Sequence, residues 1–267
     1  MKALLDIYWA DFKNALAVMF QYRVRQLFWL LGMIAEPVIY LVVWTTVARA
    51  RGSEVGGYTA GEFAAYYIAW TLVRHMNIAL TPYAFEDRIR RGRLSAELLR
   101  PLHPLHLDLA WFLGMKVVTF ALWLPIAALL ALIFHPTLNP ELWQVVGFLI
   151  ALVTAFIMRF VILWALGLAT FWITRVSALF ELFFTAELLL SGRLVPLSLL
   201  PGWAQQIANL LPFRWVFGFQ IELLFGRLTP QEMVIGFAAQ VFWFLFGLGM
   251  VHLLWRAGLR RYSAVGA

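Results

Sequence analysis

Cysteine is absent from the sequence. Disulfides, thiolate metal sites and catalysis by a cysteine nucleophile are therefore excluded. Charge is scarce too: 13% of residues are charged, against about a quarter in a typical soluble domain. Lysine occurs only at positions 2, 13 and 116, and no G-x-x-x-x-G-K-[ST] phosphate loop exists, so nucleotide hydrolysis has no recognisable seat here. A cleavable signal peptide is not expected either. Asp6, Asp11 and Lys13 interrupt any apolar h-region, and no small-residue cleavage site follows. Internal repeats, linkers and a second domain are likewise not visible.

What is present is apolar. Hydrophobic residues make up 63% of the 267, including 13 Trp, 8 Tyr and 23 Phe. A soluble fold of this size cannot hide so much apolar surface, so lipid is the expected solvent for much of the chain. The net charge of +7 would point to nucleic acid in a soluble protein. Here the basic residues sit at the ends of apolar runs, which fits lipid headgroups and positive-inside topology, with no nucleic-acid partner.

The hydropathy pattern predicts an all-α membrane protein with six transmembrane helices, over 27–48, 62–85, 108–134, 142–172, 176–195 and 232–255. Each approaches the roughly 20 residues that a hydrocarbon core of about 30 Å requires. Before them, Leu5, Tyr8, Trp9, Phe12, Leu16 and Met19 recur at helical spacing over 4–23, so residues 1–26 are expected to form an interfacial amphipathic helix. Placing the N-terminus in the cytoplasm leaves thirteen Lys and Arg inside and five outside. With six spans, both termini are then cytoplasmic.

Two connections are informative. The stretch 86–107 is basic; Gly92 permits a turn, Ser95 is placed to cap a short helix from Ala96, and Pro101 to end it. The stretch 196–231, broken by Pro196, Pro201 and Pro212, reads as one or two short re-entrant helices at the outer face. Inside the spans, Glu36 and Arg74 fall at similar depth and are candidates for an ion pair, as are Arg159 and Glu187. Lys116 is expected to snorkel toward the cytoplasm, and Glu181 to do the same or meet Arg175. His103 and His106 do not make a convincing metal pair, because Pro104 separates them and only Asp108 is near. No metal or cofactor is expected on this chain.

Three strings, RQLFWLLGMIAEPVIYLVVW (25–44), GRLSAELLRPLHPL (92–105) and SGRLVPLSLLPGWAQQIANLLPFRW (191–215), resemble the permease subunits of type-2 ABC exporters, in a compact six-span bacterial branch. The resemblance implies a bacterial cytoplasmic-membrane location and a separate cytosolic ABC ATPase that holds ATP and Mg. It also implies a homodimer or heterodimer of permeases around the substrate path. A coupling helix would lie near Ser95–Arg100, with Arg91, Arg93, Ser95, Glu97, Leu98, Leu99 and Arg100 meeting the ATPase. Pro196, Pro201, Pro212 and Phe213 would belong to the outer segment that narrows the exit. The resemblance leaves the substrate open among amphiphiles, drugs, lipids and glycans. Two other classes remain: an ion-coupled secondary transporter, which calls for repeats and broken helices in matching halves, and a lipid-modifying membrane enzyme, which calls for a His, Asp or Glu cluster at one interface.

Overall fold

The computed structural model describes residues 2–50, 54–80, 82–173 and 175–262. Arg51 and 263–267 lie outside the described residues, as do the side chains of Lys2, Arg23, Arg25 and Arg49. The chain is helical almost throughout. It opens with α1 (Lys2–Gln21) and α2 (Arg23–Ala50), which carries Pro37 in its interior. A two-residue hairpin follows, β1 (Glu54–Val55) against β2 (Tyr58–Thr59), turning on Gly56 and Gly57, both at positive φ. Next come α3 (Ala60–Met76), α4 (Pro82–Arg90), α5 (Arg93–Leu98) and α6 (Pro104–Phe134). After α7 (Leu142–Gly167), a 3-10 turn runs to Phe171, and α8 (Ser177–Leu190) follows. Three short helices, α9 (Gly202–Leu210), α10 (Pro212–Val216) and α11 (Gly218–Leu224), lead to the last, α12 (Pro230–Leu259).

Among the described residues, three helical stretches are long and apolar enough to cross a bilayer: Pro104–Phe134, Leu142–Phe171 and Pro230–Leu259. Local chemistry sets their ends. Thr229 and Glu232 form a capping box that starts α12. His135, at φ 49°, ends α6 just before Pro136.

Of the other expected spans, 27–48 lies within α2, whose apolar part among the described residues is the shorter Ile34–Val47, and two differ. The stretch 62–85 is two helices, because α3 stops at Met76 and α4 begins only at Pro82. With 17 residues, α3 is about 25 Å long. Apolar Ile78, Ala79 and Leu80 carry the hydropathy across a break that Asn77 and Pro82 impose on the backbone. The stretch 176–195 is helical only for the 14 residues of α8, about 21 Å, and then unwinds at Ser191-Gly192. The stretch 196–231 holds three short helices and a 3-10 turn instead of one or two helices.

The core is built around α3 and α7. From Phe63 to Val73 every side chain of α3 is buried, the pattern of a helix enclosed on all sides. Tyr66 and Tyr67 donate to the carbonyls of Gly192 (2.8 Å) and Leu194 (2.9 Å), so α3 holds the unwound end of α8. On α12, Gly247 lies against Val161 and Ile162 of α7. Phe85 of α4 packs on the backbone of Gly167, where an added Cβ would come within 2.2 Å of its ring.

Gly167→Leu is therefore expected to destabilise the protein by about 1–3 kcal/mol. Gly202→Leu adds a side chain where nothing lies within 4 Å and should leave stability nearly unchanged. Thermal unfolding of the detergent-purified protein reads both; equal midpoints would contradict the close packing of α4 on α7.

Candidate functional site

The segment between α3 and α6 is organised by one guanidinium. Gly92, at φ 72°, supplies the left-handed turn between α4 and α5 that a side chain would resist. Leu94 of α5 is fully buried. Arg88 of α4 donates from both Nη atoms to the Asp108 carboxylate at 2.7 Å and from Nε to Glu97 of α5 at 3.0 Å. Trp164 of α7 donates Nε1–H to the same Asp108 at 2.9 Å. Four helices thus meet at a side chain only 15% exposed. Burial raises the pKa of Glu97, against the opposing pull of Arg88.

Further ties hold the loop. The Glu86 carboxylate accepts from the Val176 amide at 2.9 Å, and the Ser95 and Tyr262 hydroxyls are 2.9 Å apart. His103 caps α6 by accepting from the Leu105 amide at 3.2 Å. Burial, with His106 nearby, lowers its pKa, which favours the neutral ring that this acceptor role needs. His106 Nδ1 meets the Tyr8 hydroxyl of α1 at 2.9 Å. The two histidines thus turn to different partners. Ser95 sits inside α5 and not at its cap; the helix runs Arg93–Leu98, with Gly92 as the N-cap and Leu99 as the C-cap. Arg100 lies beyond it.

The other face of this loop is open. Leu99 is 88% exposed and Leu98 and Arg100 are exposed beside it. Arg91 and Arg93 reach outward while pairing with Asp87 at 3.0 and 2.6 Å. A rigid loop fixed from within therefore presents two leucines ringed by arginines.

A second cluster joins α2, α3, α7 and the end of α8. Arg74 Nε is 2.8 Å from Glu36, and Arg193 Nη2 donates to the same carboxylate at 2.6 Å. Arg193, counted above with the outer loop, joins the cluster because α8 unwinds before it. Arg159 donates to both oxygens of Glu187 at 2.7 and 2.9 Å and to the Asn77 carbonyl at 2.7 Å. Lys116 does not snorkel. It is buried, and its Nζ donates to the carbonyls of Ile78 and His75 at the end of α3, where the helix dipole favours a cation. Glu181 is exposed, and no ion pair to Arg175 occurs among the described residues.

In the stretch 196–231 Pro196 is buried, Pro201 caps α9 and Pro212 opens α10. Phe213 packs edge-on against Phe183 of α8, with ring centroids 5.1 Å apart. Arg214 pairs with Glu222 at 2.8 Å, and Arg227 pairs with Glu62 at 3.0 Å while lying over the Tyr58 ring. Arg214, Glu222 and Arg227 border a cavity of about 430 Å³.

Sequence patterning does not mark Arg88, Asp108, Tyr262 or Arg193 as partners, since each pair is far apart in the chain. A signal existed in Arg88 and Asp108 alone: charges just beyond the ends of consecutive apolar runs face each other when the connection is short.

A family model described as ABC-2 family transporter protein matches residues 34–266. No curated protein sequence matches the chain.

Arg88→Ala leaves two carboxylates unpaired in a largely buried site and is expected to cost about 3 kcal/mol. Arg88→Lys should recover little, because an ammonium cannot replace the bidentate fork. Arg93→Ala, at a side chain 67% exposed, should change stability by less than about 1 kcal/mol. Unfolding midpoints in detergent distinguish them, and parity between Arg88→Ala and Arg93→Ala would refute the central role of Arg88.

Proposed function

The chain belongs to the ABC-2 family of transporter proteins, and from that premise we propose that it is the membrane subunit of an exporter driven by a separate cytosolic ATPase. In this reading, the protein crosses the membrane six times. The spans are α2, α3 with α4, α6, α7, α8 with the segment after it, and α12. The termini and α5 are cytoplasmic, α1 lies at the inner interface, and α9 to α11 lie at the outer face. Two copies, or one copy and a related permease, enclose the substrate path. ATP and magnesium belong to the partner.

One observation carries the coupling role: the end of α5 and the residues after it expose Leu98, Leu99 and Arg100 on a loop that Arg88 locks to α4, α6 and, through Asp108, α7. Exposed leucines on a rigid loop suit insertion into an apolar groove of a protein, and the surrounding arginines suit an acidic rim. A partner that closes on ATP can push such a loop, and the push reaches the spans without loss to a flexible hinge. The interruptions after α3 and α8 favour a second reading, ion-coupled transport. The family match favours the ATPase-driven one.

Two experiments test this reading. Because the chain lacks cysteine, single substitutions report sidedness cleanly. Ala96→Cys should react with a membrane-impermeant maleimide only after permeabilisation, and Trp203→Cys, 68% exposed on α9, in intact cells. Labelling of Ala96→Cys in intact cells would defeat the proposal. Second, the ATPase should co-purify with the wild type, and Leu99→Asp should reduce its recovery about ten-fold or more, since a charge enters an apolar contact. The unfolding midpoint should be unchanged. Undiminished recovery would remove α5 from the contact.

A further inference from the structure

The second span in each half of the chain is interrupted. The first break follows α3 at Asn77 and runs through Leu80; the second follows α8 at Ser191. Both helices fall short of about 30 Å, so in the proposed topology both breaks lie within the membrane. Interrupted helices at corresponding places in two halves commonly bound a substrate site. Here the breaks meet at a cavity of about 300 Å³ whose walls include Arg74, Leu80, Arg159, Phe184 and Arg193.

The charges around this cavity do not balance. Arg159 is matched by Glu187, which takes two of its hydrogen bonds. Arg74 and Arg193 share the single carboxylate of Glu36. Their guanidinium carbons lie 5.7 and 5.8 Å from the Trp70 ring, so two like charges are gathered at one place. Arg193 Nε is buried without a hydrogen-bond partner. Neither arginine is sealed off, as Arg74 keeps 29% and Arg193 17% of its side-chain surface exposed. Two guanidiniums on one carboxylate, in a site that lipid surrounds, leave a positive charge that an anion would neutralise at short range. Phe184 and Phe217 on the same wall offer apolar surface beside it.

We propose that this cavity receives the anionic headgroup, a phosphate or carboxylate, of an amphiphile whose apolar tail stays in the membrane. Arg74 and Arg193 hold the anion, and Glu36 occupies their donors when the site is empty. Calling this ligand the cargo rests on the exporter reading; the binding site rests only on the proposed six-span topology.

Native mass spectrometry of the full-length protein, with dioleoyl phosphatidic acid, dioleoyl phosphatidylcholine or inorganic phosphate as probes, tests the site. Phosphatidic acid should bind about ten-fold or more tightly than phosphatidylcholine, and millimolar inorganic phosphate should not displace it. Arg193→Gln should erase that preference. Glu36→Gln removes the internal competitor and should strengthen phosphatidic acid binding several-fold, a gain that misfolding cannot imitate. Equal binding of the two lipids, or Glu36→Gln weakening or leaving unchanged the phosphatidic acid affinity, would overturn the proposal. Displacement by inorganic phosphate alone would overturn its amphiphile part. ATPase recovery is measured separately, so a protein that recruits the ATPase but ignores headgroup charge sinks this inference alone. One that selects phosphatidic acid without recruiting the ATPase sinks only the exporter reading.

Discussion

A helix break enclosed in apolar surroundings persists only where something takes up the backbone groups it frees. In this protein that something is cationic. Arg159 donates to the Asn77 carbonyl, and Lys116 to the carbonyls of Ile78 and His75. Glu187 holds Arg159 in place with two hydrogen bonds while both side chains are almost fully buried. A buried ion pair contributes little net stability after desolvation. Its consequence here is positional: α3 stops at a fixed point, and α8 is anchored opposite the stop.

The same physics recurs in the α4–α5 loop. Arg88 joins α4, α5 and α6, and Asp108 extends the joint to Trp164 of α7. Arg159 and Trp164 stand five residues apart on one helix. A continuous run of hydrogen bonds and rigid helix therefore leads from exposed Leu99 through Glu97, Arg88, Asp108 and α7 to the break in α3. Movement of α5 cannot be absorbed along that route without breaking charge-assisted bonds. In the proposed exporter, that stiffness is what a partner's closure would act through.

The parts of this fold that are legible from sequence are those that depend on composition over about 20 residues. The stretches 108–134 and 232–255 lie within α6 and α12, and 142–172 covers α7 and the 3-10 turn after it, because long apolar runs and capping residues such as Thr229 state themselves locally. The break after α3 is hidden, since Ile78, Ala79 and Leu80 are as apolar as a span while their backbone is not helical. The contact of Arg193 with Glu36 is hidden for a related reason: counting residues forward assumes that α8 continues, and it does not. Ser95 has the chemistry of a cap but spends its hydroxyl on Tyr262, 167 residues away. Long-range partners of this kind have no signature in a single sequence.

The polar residues of α7 show how these demands are met together. Thr154 bonds Gln240 of α12 at 2.6 Å, Arg159 bonds Glu187 of α8, and Trp164 bonds Asp108 of α6. A spacing of five residues turns about 140° around an α-helix, so the three point to three different sides. Half of this helix's apolar window is buried, against 17% for α6 and 22% for α12. It is the enclosed member of the three long helices. A central helix carrying one polar contact per side fixes the rotation of each neighbour, which apolar packing alone leaves loosely set, because lipid tails compete equally for apolar surface. Removing any one contact should loosen one neighbour and leave the other two in register.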